Sequence, residues 1–289
     1  MLKVLTSHST SRIYRNIRLL SSMSNVKISE QKVKVGNYQI NYVVSKCEGE
    51  KTDKTLIMLP GALGSCFTDF KPQIENLPKL LPNYQIIAWD PPGYGKSIPP
   101  KKEFTKDFLE KDADLVKDLL CDALKVDKFD VLGWSDGGII SLILAGKHPQ
   151  NVQKLIIFGS NAFIIKDELK IYDSIRDVSK WSAKMREPLE KLYGAEYFKT
   201  TWESWVDTFK RIYHENEGDL CTKFLKDIKA ETLILHGEKD PMLASVHVPY
   251  LMENIKGAKL ITWPNGKHNI HLRYAEEFNK KVAEFLRVN

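Results

Sequence analysis

The sequence predicts an α/β domain: a mostly parallel central sheet with an antiparallel hairpin at its N-terminal edge and a helical cap inserted late in the chain. Three observations carry this. Short, continuous apolar runs recur at residues 56–59, 86–89, 131–133, 155–158 and 233–235, each bounded by turn-forming residues. Continuous runs, unlike alternating ones, suit strands covered on both faces. Helical patterns at 69–77, 104–124 and 137–147 separate those runs, as parallel strands joined by crossover helices require. Between 158 and 233 the alternation lapses into a long, aromatic stretch of helical periodicity with no convincing strand. With 289 residues, 43% of them hydrophobic and 28% charged, the chain can bury a sizeable core, and global disorder is excluded.

The first 29 residues stand apart. They carry five basic residues (Lys3, Arg12, Arg15, Arg18, Lys27) and no acid, the first being Glu30. Leu5, Ile13, Ile17 and Leu20 are spaced for a loose amphipathic helix. A basic, Ser-rich, acid-free leader fits a mitochondrial transit peptide, and Arg18-Leu19-Leu20-Ser21 resembles a processing site. Mitochondrial location is therefore expected; a tail without an address, or translation from Met23, would leave a cytoplasmic protein. Residues 7–18 lack the continuous apolar segment of a secretory signal. The leader also explains the formal charge of +6: once its five basic residues are removed from the 43, 38 face 37 acids. A near-neutral body offers no footprint for a polyanion, so no nucleic-acid partner is expected.

In chain order, residues 32–35 and 39–44 flank Gly36-Asn37, a two-residue hairpin signal. The sheet-bearing core is expected to span 30–164 and 231–289, closing on a helix at 275–286. The cap is expected at 165–230, because a connection this long and aromatic is better read as structure than as loop. Most of Tyr172, Trp181, Tyr193, Tyr197, Phe198, Trp202, Trp205 and Phe209 are expected to pack the cap's own core, with one or two facing the sheet and lining a pocket. Residues 138–145, the longest apolar candidate, stop far short of the ~18 needed to span a bilayer, so no membrane insertion is expected. Cys47, Cys66, Cys121 and Cys221 are scattered without a CxxC pair and read as ordinary thiols.

The chemistry begins at Gly133-Trp134-Ser135-Asp136-Gly137-Gly138, between the strand at 129–132 and the helix that ends near His148-Pro149. That context is a nucleophile elbow, in which flanking glycines let a strained turn lift the serine hydroxyl above the sheet. The helix N-terminus beneath it offers free backbone N–H groups to an oxyanion. A serine needs a base, and of seven histidines His268 is the one in a turn-rich loop, after a strand at 259–262 and near the C-terminus, where the order Ser, Asp, His places it. His271 is the alternative, otherwise a partly buried surface residue. Asp240, just past the strand at 233–235, is the expected orienting acid, with Glu238 as alternative. The second oxyanion donor is expected in Pro60-Gly61-Ala62-Leu63-Gly64-Ser65, from the Ala62 N–H or its neighbour Leu63, partnered by the Asp136 N–H. Two decoys fall away. Gly93-Tyr94-Gly95-Lys96-Ser97 lacks the first glycine of a Walker A loop, Asp90 standing there, and Pro99 and Pro100 block the following helix. His268 and His271 lack the HExxH context of a zinc site, so no metal and no cofactor are expected.

So assembled, the chain resembles the α/β-hydrolase superfamily over about residues 30–287. Asp90-Pro91-Pro92-Gly93-Tyr94-Gly95-Lys96-Ser97 is similar to that family's DxRGxGxS loop, with Pro92 where Arg is usual. Pro60-Gly61 stands where many members have His-Gly. A narrower resemblance, to a branch of the family that cleaves α-amino acid esters, rests on residues 133–138, 175–181, 236–241 and 266–269. The cap segment matters most, since generic hydrolases diverge there. It implies an α/β-hydrolase fold, a serine esterase acting on small α-amino acid esters, and a mitochondrial location. Asp136 points the same way: a carboxylate beside the nucleophile opposes the developing oxyanion, but becomes an asset if the substrate carries an ammonium. Otherwise Asp136 only complements the helix N-terminus. The alternatives are a C–C bond or lipophilic-ester hydrolase with the same triad, or a non-catalytic ligand-binding protein of this fold. A monomer acting on a small-molecule ester is the expectation.

Overall fold

The computed structural model describes residues 25–288. Strands β1 (Val26–Val35) and β2 (Tyr38–Cys47) pair antiparallel along their whole length, from Val26 opposite Cys47 to Val35 opposite Tyr38. Gly36 closes the hairpin at φ 56°, a conformation glycine enters without a Cβ clash. The strand starts earlier than the sequence suggested. Residues 26–29, assigned to the leader, belong to the sheet because β2 offers them hydrogen-bonding partners out to Cys47. The rest of that leader, through Ser24, lies outside the described residues.

Among the described residues one sheet of eight strands forms in the order β1-β2-β4-β3-β5-β6-β7-β8. It adds β3 (Lys54–Leu59), β4 (Tyr84–Trp89), β5 (Phe129–Trp134), β6 (Val152–Phe158), β7 (Glu231–Gly237) and β8 (Lys259–Trp263). β2 meets β4 antiparallel, and every pairing from β4 through β8 is parallel. Alternate residues of the apolar runs serve opposite faces. Ile57, Leu59, Ile87, Trp89 and Val131 pack with helices α2 (Phe108–Lys117) and α3 (Asp136–Lys147). Leu56, Met58, Leu132 and Ile156 pack with Phe70, Ile74 and Leu77 of α1 (Cys66–Leu80) and with Phe278 and Val282 near the C-terminus. Burial on both sides is why those runs read as continuous. The helical pattern at 104–124 resolves into α2 followed by a π-helical turn, Asp118–Ala123.

The stretch between β6 and β7 is helical: α4 (Lys166–Ile175), α5 (Ala183–Tyr193), α6 (Ala195–Glu215) and the short α7 (Thr222–Leu225). Its core is aromatic. Trp181 meets Trp202 edge-on at 4.9 Å, Trp202 stacks on Trp205 at 4.8 Å, and Trp205 continues to Phe209. The Trp181 and Trp202 indoles both donate to the Ile175 carbonyl that α4 leaves free at its end. The core resumes with β7, α8 (His247–Asn254), β8, α9 (Ile270–Arg273) and α10 (Ala275–Arg287). No helix among the described residues is long and apolar enough to cross a membrane.

Candidate active site

Four strand ends meet at the carboxyl edge of the sheet. β5 runs into Ser135, which sits at φ 55°, ψ −123°, a conformation that costs a non-glycine residue roughly 1–3 kcal/mol. The surroundings hold it there: the Ser135 N–H donates to Phe158 O, and Ser135 O accepts from the Gly138 and Ile139 N–H groups and from the Ser160 hydroxyl. The flanking glycines are required by contact. A Cβ on residue 133 would lie 2.1 Å from Ser141 Oγ, and one on residue 137 would lie 2.0 Å from Leu59 O.

His268 follows β8, and its Nδ1 lies 2.8 Å from Asp240 Oδ2 at the end of β7. The Asp240 side chain is only 2% exposed, whereas His268 is 21% exposed. Asp240 Oδ1 accepts from the Met242 N–H at 2.9 Å, which fixes the carboxylate. The Trp134 indole donates to His268 O at 2.9 Å, tying the histidine loop to the residue before Ser135. Glu238 points elsewhere and accepts from the Thr262 hydroxyl. His271 is not a surface residue. The turn of α9 drives it inward among Trp134, Phe158, Phe70 and Phe278, fully buried. Burial pushes its imidazole down to about 3, so it stays neutral. His148 caps α3, His214 lies in the cap, and His236 belongs to β7. His8 lies outside the described residues.

The loop after β3 folds against the serine. Gly61 comes so close that a Cβ there would meet Ser135 Cβ at 3.2 Å. The loop is a tight turn, with the Gly64 N–H donating to Gly61 O at 3.0 Å and Leu63 at φ 58°. The Gly61 N–H donates to Asp69 Oδ2 at 3.0 Å, and the Thr68 hydroxyl to Asp69 Oδ1. The N–H groups of Ala62 and Asp136 meet no acceptor among the described residues. Burial raises the Asp69 carboxyl to about 7, against the pull of the Thr68 and Gly61 hydrogen bonds.

Asp136 opens α3 and is 5% exposed. Trp205, on α6 of the cap, donates its indole N–H to Asp136 Oδ2 at 2.7 Å. Burial raises the Asp136 carboxyl to about 7, opposed first by that hydrogen bond and then by the Lys102 charge. Lys102 is itself buried, paired with Asp112 at 2.5 Å. Of the cap aromatics, Trp205 is thus one that reaches the core, at the first residue of α3.

Sequence reasoning left several members of this network unassigned. Asp69 was legible in principle: it shares the buried stripe of α1 with Cys66, Phe70, Gln73, Ile74 and Leu77, and a carboxylate on an apolar face requires a partner. Glu168 and His247 form a second buried pair, 2.7 Å apart, that ties α4 to the segment after Asp240. Nothing in their spacing, 79 residues apart, announces it.

Comparison with known proteins places this edge in context. A profile for the alpha/beta hydrolase fold matches residues 54–197. Serine hydrolase BPHL of Homo sapiens is 46% identical over 259 residues, covering 90% of this chain and 87% of its own length. The chain belongs to the α/β-hydrolase family. The Mus musculus serine hydrolase BPHL is 44% identical over the same shares of both chains. These relatives identify the chain as a serine hydrolase. Among solved structures, 2-hydroxy-6-oxo-6-phenylhexa-2,4-dienoate hydrolase from Rhodococcus sp. strain RHA1 superposes with a TM-score of 0.74 at 17% identity, covering 91% of this chain and all of that one. A meta-cleavage product hydrolase from Pseudomonas fluorescens IP01 gives 0.72 at 20% identity, covering 89% and 97%. Both likenesses concern the fold.

Proposed function

We propose that this serine hydrolase cleaves esters of small α-amino acids through an acyl-enzyme. One observation carries the proposal: a carboxylate, Asp136, is buried directly beside Ser135 and oriented by a cap indole. Burying a carboxylate without a cation is unfavourable, and next to a forming oxyanion it is repulsive. A substrate ammonium resolves both costs. With Oδ2 held by Trp205, Asp136 turns its other oxygen to that cation.

In this reading His268 Nε2 takes the Ser135 proton as Oγ attacks the ester carbonyl, and Asp240 at Nδ1 stabilises the imidazolium. The Ala62 and Asp136 N–H groups receive the carbonyl oxygen as it becomes an oxyanion, each donor lowering the barrier by roughly 3 kcal/mol. The tetrahedral intermediate collapses, the ester C–O bond breaks, and His268 returns its proton to the departing alkoxide. Water, deprotonated by the same histidine, then attacks the acyl-enzyme and releases the amino acid. His271 takes no part, because its ring is fully buried among Phe70, Trp134, Phe158 and Phe278.

Steady-state kinetics on matched pairs of aminoacyl esters and their N-acetylated forms test the proposal. It requires kcat/KM to favour the free ammonium by at least tenfold. Equal rates, or preference for the acetylated or lipophilic esters, would return the chain to a general esterase or a C–C bond hydrolase. We also propose mitochondrial targeting by the basic, acid-free leader. Residues 1–25 fused to a fluorescent reporter should enter mitochondria, and a diffuse cytosolic signal would contradict the targeting.

A further inference from the structure

We propose that Tyr193, at the tip of the cap, is a positioning residue that holds the oxyanion-donor turn of the core in its working shape; the inference rests on Ser135 as nucleophile and on the Ala62 N–H as oxyanion donor. The turn Gly61-Ala62-Leu63-Gly64 has Leu63 at φ 58°. That is the third position of a four-residue turn closed from Gly64 N–H to Gly61 O, where a positive φ ordinarily calls for glycine. A leucine there leaves the turn strained, and relief of that strain about Leu63 would rotate the Ala62–Leu63 peptide and shift Ala62, which carries the donor.

Two contacts oppose that relaxation. From the core, Asp69 accepts from the Gly61 N–H. From the cap, the Tyr193 hydroxyl donates to Leu63 O at 2.9 Å. The same oxygen accepts from the Gly95 N–H at 2.8 Å, so both hydrogen-bonding roles of the phenol are used. Gly95 is an anchor rather than a passenger. It sits at φ 51°, and a Cβ there would lie 2.3 Å from the Asp90 carboxylate, which also accepts from the Cys66 and Lys96 N–H groups. Tyr193 therefore bridges a rigid loop to the strained residue, and ends α5 just before Gly194 turns the chain at φ 76°.

Tyr197, in the first turn of α6, makes a matching bridge of its own, donating to Gly93 O and accepting from the Lys102 N–H. It touches the neighbouring loop but not the donor turn. The pair thus separates docking of the cap from control of the turn. A cap that only shields substrate needs both tyrosines alike; a cap that sets the oxyanion donor needs Tyr193 in particular.

The test compares Tyr193→Phe with Tyr197→Phe, each of which removes one phenol oxygen from an equivalent bridge. The readouts are kcat and KM for an aminoacyl ester and for its N-acetylated form, and the affinity of a phenylboronic acid, whose serine adduct is a tetrahedral anion. Tyr193→Phe is expected to lower kcat about tenfold on both esters with KM within twofold, and to weaken the boronate about tenfold. Tyr197→Phe is expected to keep kcat and boronate affinity within twofold. Equal behaviour of the two variants, or a Tyr193→Phe effect confined to KM or to thermal stability, would overturn the inference. If wild type fails to bind the boronate at Ser135, the nucleophile reading fails instead, which separates the two.

Discussion

Replacing Asp136 with Asn keeps the side-chain volume and the backbone N–H but removes the charge. The carboxylate is 5% exposed, so its pairing with a substrate ammonium is little screened. Losing a charged partner in such a site costs about 2–4 kcal/mol, or ~30- to ~1000-fold in kcat/KM at about 1.4 kcal/mol per decade. Because burial raises this carboxyl to about 7, roughly half the enzyme is protonated there at pH 7, a penalty of only ~0.4 kcal/mol for the wild type. N-acetylated esters should hold their rate or gain, since a repulsive charge near the oxyanion is gone. The ratio of kcat/KM for the charged over the acetylated ester removes everything the two substrates share, including the titration of His268. In wild type that ratio should rise with pH through about 7 as Asp136 ionises, then fall near ~8 as the substrate amine loses its proton; in Asp136→Asn it should be flat. Stability should move the other way. An Asp carboxyl ionises near ~4 in an unfolded chain but near 7 in this fold. The folded state therefore binds more protons, and stability is lost as pH rises from about 4 to about 7. Asp136→Asn should accordingly melt higher than wild type at pH 8 and show a smaller difference at pH 4. Parallel loss on both ester classes with an unchanged ratio would refute the ammonium role and leave Asp136 as a helix N-terminal charge.

Two further substitutions separate neighbouring roles. Trp205→Phe removes the hydrogen bond that holds the Asp136 carboxyl down, while Lys102, Asp112 and His268 keep their places. The rising limb of the charged-to-acetylated ratio should shift to higher pH; a limb that stays put would show that the indole does not tune this carboxylate. His268→Ala should lower kcat by about 10⁴-fold with little change in Tm. His271→Ala, which empties a fully buried site among four aromatic rings, should lower Tm by several degrees and leave kcat within tenfold. The opposite pattern would make His271 the base.

The parts legible in the sequence were those written locally. Apolar runs such as 56–59 and 155–158 announced strands buried on both faces, and Gly36-Asn37 announced the hairpin. The spacing Gly133, Ser135, Gly137 announced the elbow, because a Cβ at either glycine would collide with Ser141 or Leu59. The start of β1 is hidden in the sequence because residues 26–29, like those before them, carry no acid and no turn signal that would mark a boundary. Residues 26–29 gain their identity only from β2. His271 was misjudged because spacing of three from His268 gives no direction; the turn of α9 supplies it. Contacts between the cap and the core were illegible for a different reason. Trp205 with Asp136 are 69 residues apart, and Tyr193 with Leu63 are 130 apart. Each pair meets only once the sheet and the cap have both folded, so no window of sequence contains it.

If Ser135 attacks the substrate, the acyl-enzyme can be trapped on it. Wild type mixed with a chromogenic aminoacyl ester, quenched in acid within milliseconds and digested, is read by peptide mass spectrometry. One aminoacyl mass is expected on the peptide containing Ser135, absent from a folded Ser135→Ala variant whose turnover falls by about 10⁴-fold or more. The acyl group on any other residue, or Ser135→Ala turnover within tenfold of wild type, would contradict it.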